Sequence, residues 1–293
     1  MRKLHQLADV DSIVLYADAE LNWVRMHYVE AGTGPLVVLL HGFPDFWFGW
    51  RHQITGLANA GFRVVAPDLR GYDLTSKPEG VAPYVVDEIA DDVEQLIRRL
   101  GEQRADVVGH DWGGAIAWGL AMRRPEQVRR LAILNAPHPQ LVARARRNPR
   151  QLLKSWYILF FQLPAIPEAV LRARDYQTFR RLFTRDPARP FSQEEIDRHI
   201  EAIARPGALT AMINWYRALF RSGSRPRSAA RRIDTPTLVL WGDHDRYLSR
   251  FLAEPSREWV PNLTVVHFPN ATHWLQHDEA EAVNRRLIEF FAG

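Results

Sequence analysis

Cysteine is absent from all 293 residues, so no disulfide framework holds the fold, as suits a reducing compartment. No apolar run approaches the roughly 20 residues that a membrane-spanning helix needs. Met1–Glu20 has no apolar core followed by a small-residue cleavage site, so no secretory signal is read there and a cytoplasmic location is expected. Lysine is nearly missing too: Lys3, Lys77 and Lys154 are the only lysines among 38 basic residues. No basic patch is interleaved with stacking aromatics, so nucleic acid is not expected as a partner. There is no internal repeat and no low-complexity tract.

What is present is ordinary for a globular protein, with 46% hydrophobic and 25% charged residues. The length suits one large domain carrying an insertion. The net charge of +4 is unevenly spread, because residues 139–230 hold 17 Lys/Arg against 7 Asp/Glu and leave the remainder net negative. Such a basic segment could attract anionic substrates or an anionic membrane surface. An arginine preference running through the whole chain is equally what codon composition produces, so the charge alone assigns no partner.

Ile13–Ala17 and Trp23–Glu30 read as opening strands, followed by the turn Ala31-Gly32-Thr33-Gly34-Pro35. Leu36–Leu40 is a continuous apolar run, as a strand buried on both faces requires, and it ends in His41-Gly42-Phe43-Pro44. Arg63–Pro67 is the next strand, closed by Asp68-Leu69-Arg70-Gly71-Tyr72. Val85–Leu100 has helical apolar spacing and Gly101 as its C-cap. Ala105–Val108 and Leu131–Leu134 are further strands, so strand and helix alternate and imply a mostly parallel sheet. From Pro137-His138-Pro139 to about Ala230 no clear strand appears, only helical, arginine-rich and aromatic segments broken by prolines. The rhythm resumes with Thr237–Trp241, Leu263–Phe268 and a closing helix around Glu279–Phe291. The expected division is a core of residues 1–138 and 231–293, with a helical cap at 139–230.

The chain is organised around Val107-Val108-Gly109-His110-Asp111-Trp112-Gly113-Gly114. A short buried strand runs into a Gly-x-Asp-x-Gly bend and the helical stretch Ala115–Met122, which suits a strained strand-to-helix elbow presenting Asp111. A helix N-terminus favours negative charge there. A carboxylate needs no deprotonation to act as a nucleophile, and should attack a saturated electrophilic carbon. The same pattern is also what an ordinary turn with an aspartate N-cap uses. Two later loops bear on the choice: Gly242-Asp243-His244-Asp245 after one strand and Asn270-Ala271-Thr272-His273-Trp274 after the last. Nucleophile, acid, histidine, each at a strand's C-terminal end, is the chain order of α/β-hydrolase triads.

With these residues, the sequence resembles the α/β-hydrolase-fold epoxide hydrolases. The resemblance rests on His41-Gly42-Phe43-Pro44, Arg70-Gly71-Tyr72, the aspartate elbow, Asp245 and Thr272-His273-Trp274. It is strengthened by Ser155-Trp156-Tyr157 through Pro164 and by Asn214-Trp215-Tyr216-Arg217, which are similar to the cap segments carrying that family's epoxide-holding tyrosines. It implies an α/β-hydrolase fold, with a mostly parallel central sheet, helices on both faces and an inserted helical cap. It also implies an epoxide hydrolase that needs no cofactor and no metal, whose partners are a small apolar epoxide and water, and for which a homodimer stays open. Tyr157 and Tyr216 would hold the epoxide oxygen while Asp111 opens the ring to leave an ester. His273, supported by Asp245, would activate the water that hydrolyses the ester, with the backbone N–H groups of Phe43 and Trp112 as oxyanion hole. His41, Pro44, Trp156 and Trp274 are the expected pocket residues.

Asp243 competes for the acid role, and the family register favours Asp245. His41, His110, His138 and His244 are expected to support structure. The family usually carries glycine and serine where this chain has Asp73 and Thr75, and a charge at Asp73 could reshape the site entrance. Haloalkane dehalogenases share the aspartate elbow but need side-chain N–H donors for a halide. Trp112 and Trp156 could serve, whereas Phe43 could not. Fluoroacetate dehalogenases call for arginine after the nucleophile, and esterases for serine in its place. A non-catalytic binding protein on this fold is the remaining alternative.

Overall fold

A computed structural model describes residues 10–21, 23–221 and 232–293. Its frame is an eight-stranded sheet. In chain order the strands are β1 (Leu15–Leu21), β2 (Val24–Ala31), β3 (Leu36–Leu40), β4 (Arg63–Pro67), β5 (Ala105–His110), β6 (Val128–Leu134), β7 (Thr237–Gly242) and β8 (Leu263–Phe268). Their order across the sheet is β1-β2-β4-β3-β5-β6-β7-β8, and β2 alone runs against the rest. The first strand lies later than its apolar pattern suggests. It pairs with β2 in a tight hairpin from Leu21↔Val24 back to Leu15↔Glu30, which buries Ala19 and Leu21 and leaves Leu15 exposed.

The apolar runs of the central strands are continuous because both faces are covered. Val38 and Leu40 of β3, and Leu131 and Ile133 of β6, pack on one side of the sheet; Val37, Leu39, Ala132 and Leu134 pack on the other. Each fully buried Val, Leu or Ile among them contributes roughly 1.5–3 kcal/mol. The first side is covered by α2 (Val86–Arg99) and α3 (Trp112–Arg123), the second by α1 (Arg51–Asn59) and the C-terminal helix Ala280–Ala292. Helix α2 carries Asp87 and Glu88 in its first turn and Arg98 and Arg99 in its last, as the helix dipole favours.

Between β6 and β7 the described residues carry six helices and no strand. These are α4 (Pro139–Ala145), α5 (Pro149–Lys154), α6 (Trp156–Phe160), α7 (Ile166–Arg185), α8 (Gln193–Ala204) and α9 (Ala208–Arg221). A capping box of Ser192 and Glu195 starts α8. Helix α7 is kinked at Ala173–Tyr176, where Arg174, Asp175 and Tyr176 adopt φ of 51, 54 and 57°. The expected cap boundary at residue 230 lies outside the described residues. Among the described residues no helix is long and apolar enough to cross a membrane.

Candidate active site

The parallel strands end along one edge of the sheet, and four of those ends build the site. After β5 the backbone turns at Asp111 with φ 50° and ψ −118°, a conformation that side chains rarely adopt, and α3 begins at the next residue. Close packing enforces small residues around this bend. A Cβ on Gly113 would lie 2.1 Å from the Leu40 carbonyl oxygen, and one on Gly42 would lie 2.4 Å from the Asp111 Cβ. The bare Gly42 lets the loop after β3 come close enough for the Phe43 N–H to donate to Asp111 Oδ1 at 2.9 Å. The other oxygen, Oδ2, faces His273 Nε2 at 3.6 Å.

His273, on the loop after β8, is held from behind. Its Nδ1–H donates to Asp245 Oδ2 at 2.7 Å, and His110 Nε2–H donates to the His273 carbonyl at 2.8 Å. Asp245 is buried and saturated with donors: Asn135 Nδ2 at 2.7 Å on Oδ2, and the Tyr247 and Leu248 N–H groups at 2.7 and 2.8 Å on Oδ1. Burial alone would lower the His273 imidazole. The Asp245 and Asp111 carboxylates outweigh it and push the group up to about 10. Burial would likewise raise Asp111 and Asp245, but His273 holds both below the usual carboxylate range. The resting site is therefore an imidazolium between two carboxylates.

Tyr157 of α6 and Tyr216 of α9 meet over the elbow, their ring centroids 5.8 Å apart. Burial raises both hydroxyls well above their ordinary value, reinforced for Tyr157 by the Asp111 charge and for Tyr216 by Tyr157 and then Asp111, so both remain protonated donors. The Trp112 ring stands edge-on to Tyr216, centroids 5.1 Å apart and planes at 82°, so the indole and the two phenols form one cluster over the elbow. The backbone between these tyrosines is fixed by Arg217. Its guanidinium donates to Glu168 Oε1 and Oε2 at 2.7 and 3.0 Å, to the Phe161 and Leu163 carbonyls at 3.0 and 2.8 Å, and to Asn214 Oδ1 at 3.1 Å. That uses every N–H an arginine has. Gln162 Nε2 adds a bond to the Tyr216 carbonyl at 3.0 Å.

A cavity of about 660 Å³ lies over the elbow. Asp111, Phe43, Pro44, Trp156, Tyr157, Tyr216, His273 and Trp274 all line it, with largely apolar company such as Phe160, Phe161, Leu171 and Phe179. Tyr247, its ring 5.3 Å from that of His273, completes one wall and donates its hydroxyl to Asp186. His41 is a correction. It does not line the cavity, because both ring nitrogens are spent on the loop, Nδ1–H donating to the Gly42 carbonyl at 3.0 Å and Nε2 accepting from Leu69 N at 3.0 Å. Burial lowers it to about 4, so it stays neutral.

Asp243 is engaged elsewhere, with His267 Nδ1 at 2.6 Å and Arg250 Nε at 3.3 Å. His110 is buried and lowered to about 4, His138 accepts the Gln140 N–H at the start of α4, and the His244 N–H donates to the Ala271 carbonyl. Asp73 does not stand at the cavity either. It is buried at φ 32° and accepts from Arg205 Nε at 2.5 Å, while Thr75 Oγ1 donates to the Asp68 carbonyl at 2.7 Å. Among the described residues, two groups away from the cavity have cation-ligating types within 4.8 Å, His52-Glu195-His277 and His27-Asp68-Asp73. In each, neighbouring groups already engage ligand atoms: Arg51 bonds Glu195 at 2.6 Å and His277 Nδ1 at 2.7 Å, and His27 Nδ1 bonds Asp68 at 2.7 Å.

Sequence reasoning missed Asn135, the role of Arg217, and Gln276, whose Nε2–H donates to His110 Nδ1 at 3.2 Å behind His273. Asn135 had a signal: it is the polar residue directly after a buried strand, at the edge where Asp111 and Asp245 stand.

Residues 35–280 match a family model described as alpha/beta hydrolase fold. The "AB hydrolase superfamily protein YfhM" of Bacillus subtilis (strain 168) is 45% identical over 273 residues, covering 92% of this chain and 95% of that protein. Epoxide hydrolase 4 of Homo sapiens is 38% identical over 279 residues, covering 91% of this chain and 75% of that one. The crystal structure of a Bacillus megaterium epoxide hydrolase in complex with an inhibitor superimposes with a TM-score of 0.85 at 30% identity, over 94% of this chain and 100% of that chain.

Proposed function

Because the chain belongs to the alpha/beta hydrolase fold family and, within it, to the epoxide hydrolases, we propose that it converts an apolar epoxide to a vicinal diol through an ester on Asp111. We take residues 139–230 as the cap and 1–138 with 231–293 as the core. Asp111 Oδ1 is held by the Phe43 N–H, which leaves Oδ2 as the attacking oxygen. Oδ2 forms the bond to one epoxide carbon while that carbon's bond to oxygen breaks. The departing alkoxide takes a proton from the Tyr157–Tyr216 pair, leaving a tyrosinate.

The ester carbonyl oxygen is then Oδ1, already beside the Phe43 N–H, so the oxyanion hole is built before reaction. The Trp112 N–H, first in α3 and without a helical partner, is its second donor. One such donor is worth about 3 kcal/mol in the hydrolytic step. Esterification also removes the Asp111 charge that helps hold His273 protonated. The imidazolium's proton then goes, by way of water in the cavity, to the tyrosinate left by ring opening, which restores the phenol and leaves a neutral imidazole to take a proton from the attacking water. Asp245 keeps the ring oriented throughout. Hydrolysis returns the carboxylate and releases the diol.

The observation that carries this reading is the pair of protonated tyrosines facing a carboxylate elbow across an apolar cavity. A halide site finds less support. Trp112 is not among the residues lining the cavity, Phe43 has no side-chain donor, and Trp156 is 63% exposed. The test is the intact mass of His273→Gln after incubation with a small aryl epoxide or a chloroalkane. The expected gain is the whole epoxide mass, mapped to Asp111. An alkyl adduct from the chloroalkane, or no adduct on a folded variant across several epoxides, would refute it.

A further inference from the structure

The outer side of α5, α6 and the start of α7 presents apolar side chains to water. Leu153 is 76% exposed and Leu159 65%, and Leu152, Trp156, Leu163 and Ile166 are exposed beside them. Single exposed leucines are normal on a protein surface, but six large apolar side chains within residues 152–166 form a patch. Leu153 and Trp156, with Val170, also line the cavity, so the patch runs directly into the mouth of the pocket.

Exposed arginines border this stretch, Arg146, Arg147 and Arg150 before it and Arg172 and Arg174 after it. Among the described residues none of these five has a carboxylate partner. Arg180 and Arg217 of the same helical segment, by contrast, are each paired with one. Exposed cations without carboxylate partners, flanking the apolar stretch on both sides in the chain, disfavour a second copy presenting the same face, because a two-fold interface would set like charges against each other. They complement an anionic lipid headgroup layer, into which leucine and tryptophan side chains insert.

We propose that this face docks on an anionic membrane surface and that the cavity takes its epoxide from the bilayer. The docking stands on the surface alone, whereas the delivery rests on the epoxide hydrolase reading. Each basic residue at such a surface adds about fivefold to partitioning, so the double variant R147E/R150E should lose at least about 25-fold. L152E and L159E alter side chains outside the cavity lining and should each lose about tenfold.

The experiment is co-sedimentation of the full chain with phosphatidylcholine vesicles and with equal mixtures of phosphatidylcholine and phosphatidylglycerol, at low and high ionic strength. Diol formation is measured from a water-soluble epoxide and from one dissolved in the vesicles. The expected result is binding to the anionic vesicles that weakens with salt and with each variant. Turnover of the soluble epoxide should be unchanged, and turnover of the vesicle-dissolved one should fall in the variants. Absence of binding to anionic vesicles, or equal binding by L152E and L159E, would overturn the docking. So would a concentration-dependent dimer that L159E breaks while no vesicle is bound, since the face would then be an interface between copies. Vesicle binding with no diol from any epoxide would retain the docking and overturn the delivery.

Discussion

Replacing Asp111 by asparagine keeps the shape of the side chain and removes its charge, which isolates the electrostatic coupling between nucleophile and base. His273 Nε2 lies 3.6 Å from Asp111 Oδ2. Two unit charges at that separation, in an effective dielectric of about 20, attract by about 5 kcal/mol, which corresponds to a change of about three pKa units. From its value of about 10, His273 should therefore fall to about 7 in Asp111→Asn, remaining above its buried intrinsic value because Asp245 still faces Nδ1. The assay is an NMR titration of the His273 ring protons from acid to strongly alkaline pH in both proteins. A variant within about one unit of the wild type would refute the coupling, and with it the argument that esterification of Asp111 releases the base. The same shift fixes the pH dependence of stability. A histidine raised in the folded state stabilises it fully below the ordinary value of 6.5, and that contribution is lost as pH rises through about 10. Wild-type Tm should thus decline from about pH 6.5 to 10, a slope that Asp111→Asn should confine to the neutral region.

Other perturbations separate the two half-reactions. Gly42→Ala sets a Cβ 2.4 Å from the Asp111 Cβ and 2.5 Å from its Oδ1, so it should displace the Phe43 N–H. Stopped-flow turnover should then drop by about 100-fold or more. Trp112→Phe removes the indole N–H beside Tyr216 together with part of the ring packed on Tyr216 and Trp215. It should slow ester formation about tenfold, the worth of one hydrogen bond to a developing charge, and leave ester hydrolysis unchanged when the two rates are measured separately. Asn135→Ala strips Asp245 Oδ2 of a donor at 2.7 Å and leaves the Gly242 N–H without its acceptor. Chemical denaturation should report a loss of about 1–3 kcal/mol, and single-turnover kinetics a slower hydrolytic step with ring opening intact.

The local sequence determined much of this protein. Apolar runs such as Leu36–Leu40 and Thr237–Trp241 marked central strands because a side chain buried on either face must be apolar, whatever its neighbours are. The glycines around Asp111 marked the elbow because a Cβ on Gly109 would lie 2.4 Å from the Gly113 carbonyl oxygen, a requirement that arises within the bend itself. The start of β1 was misread because its limits come from pairing with β2, a relation between two segments that apolar spacing in one cannot report.

Only the tertiary structure decided which of several polar groups meet. His41 and His273 are both histidines at strand ends, yet one is consumed by Gly42 and Leu69 while the other stands between two carboxylates. Asp243 and Asp245 sit two residues apart and face different histidines, His267 at 2.6 Å and His273 at 2.7 Å. The Arg217 knot joins the two tyrosine-bearing helices through residues up to 56 positions apart in the chain. Hydrogen-bond partners are chosen by distance in space, and sequence separation carries almost no information about that distance once the chain has crossed from core to cap and back.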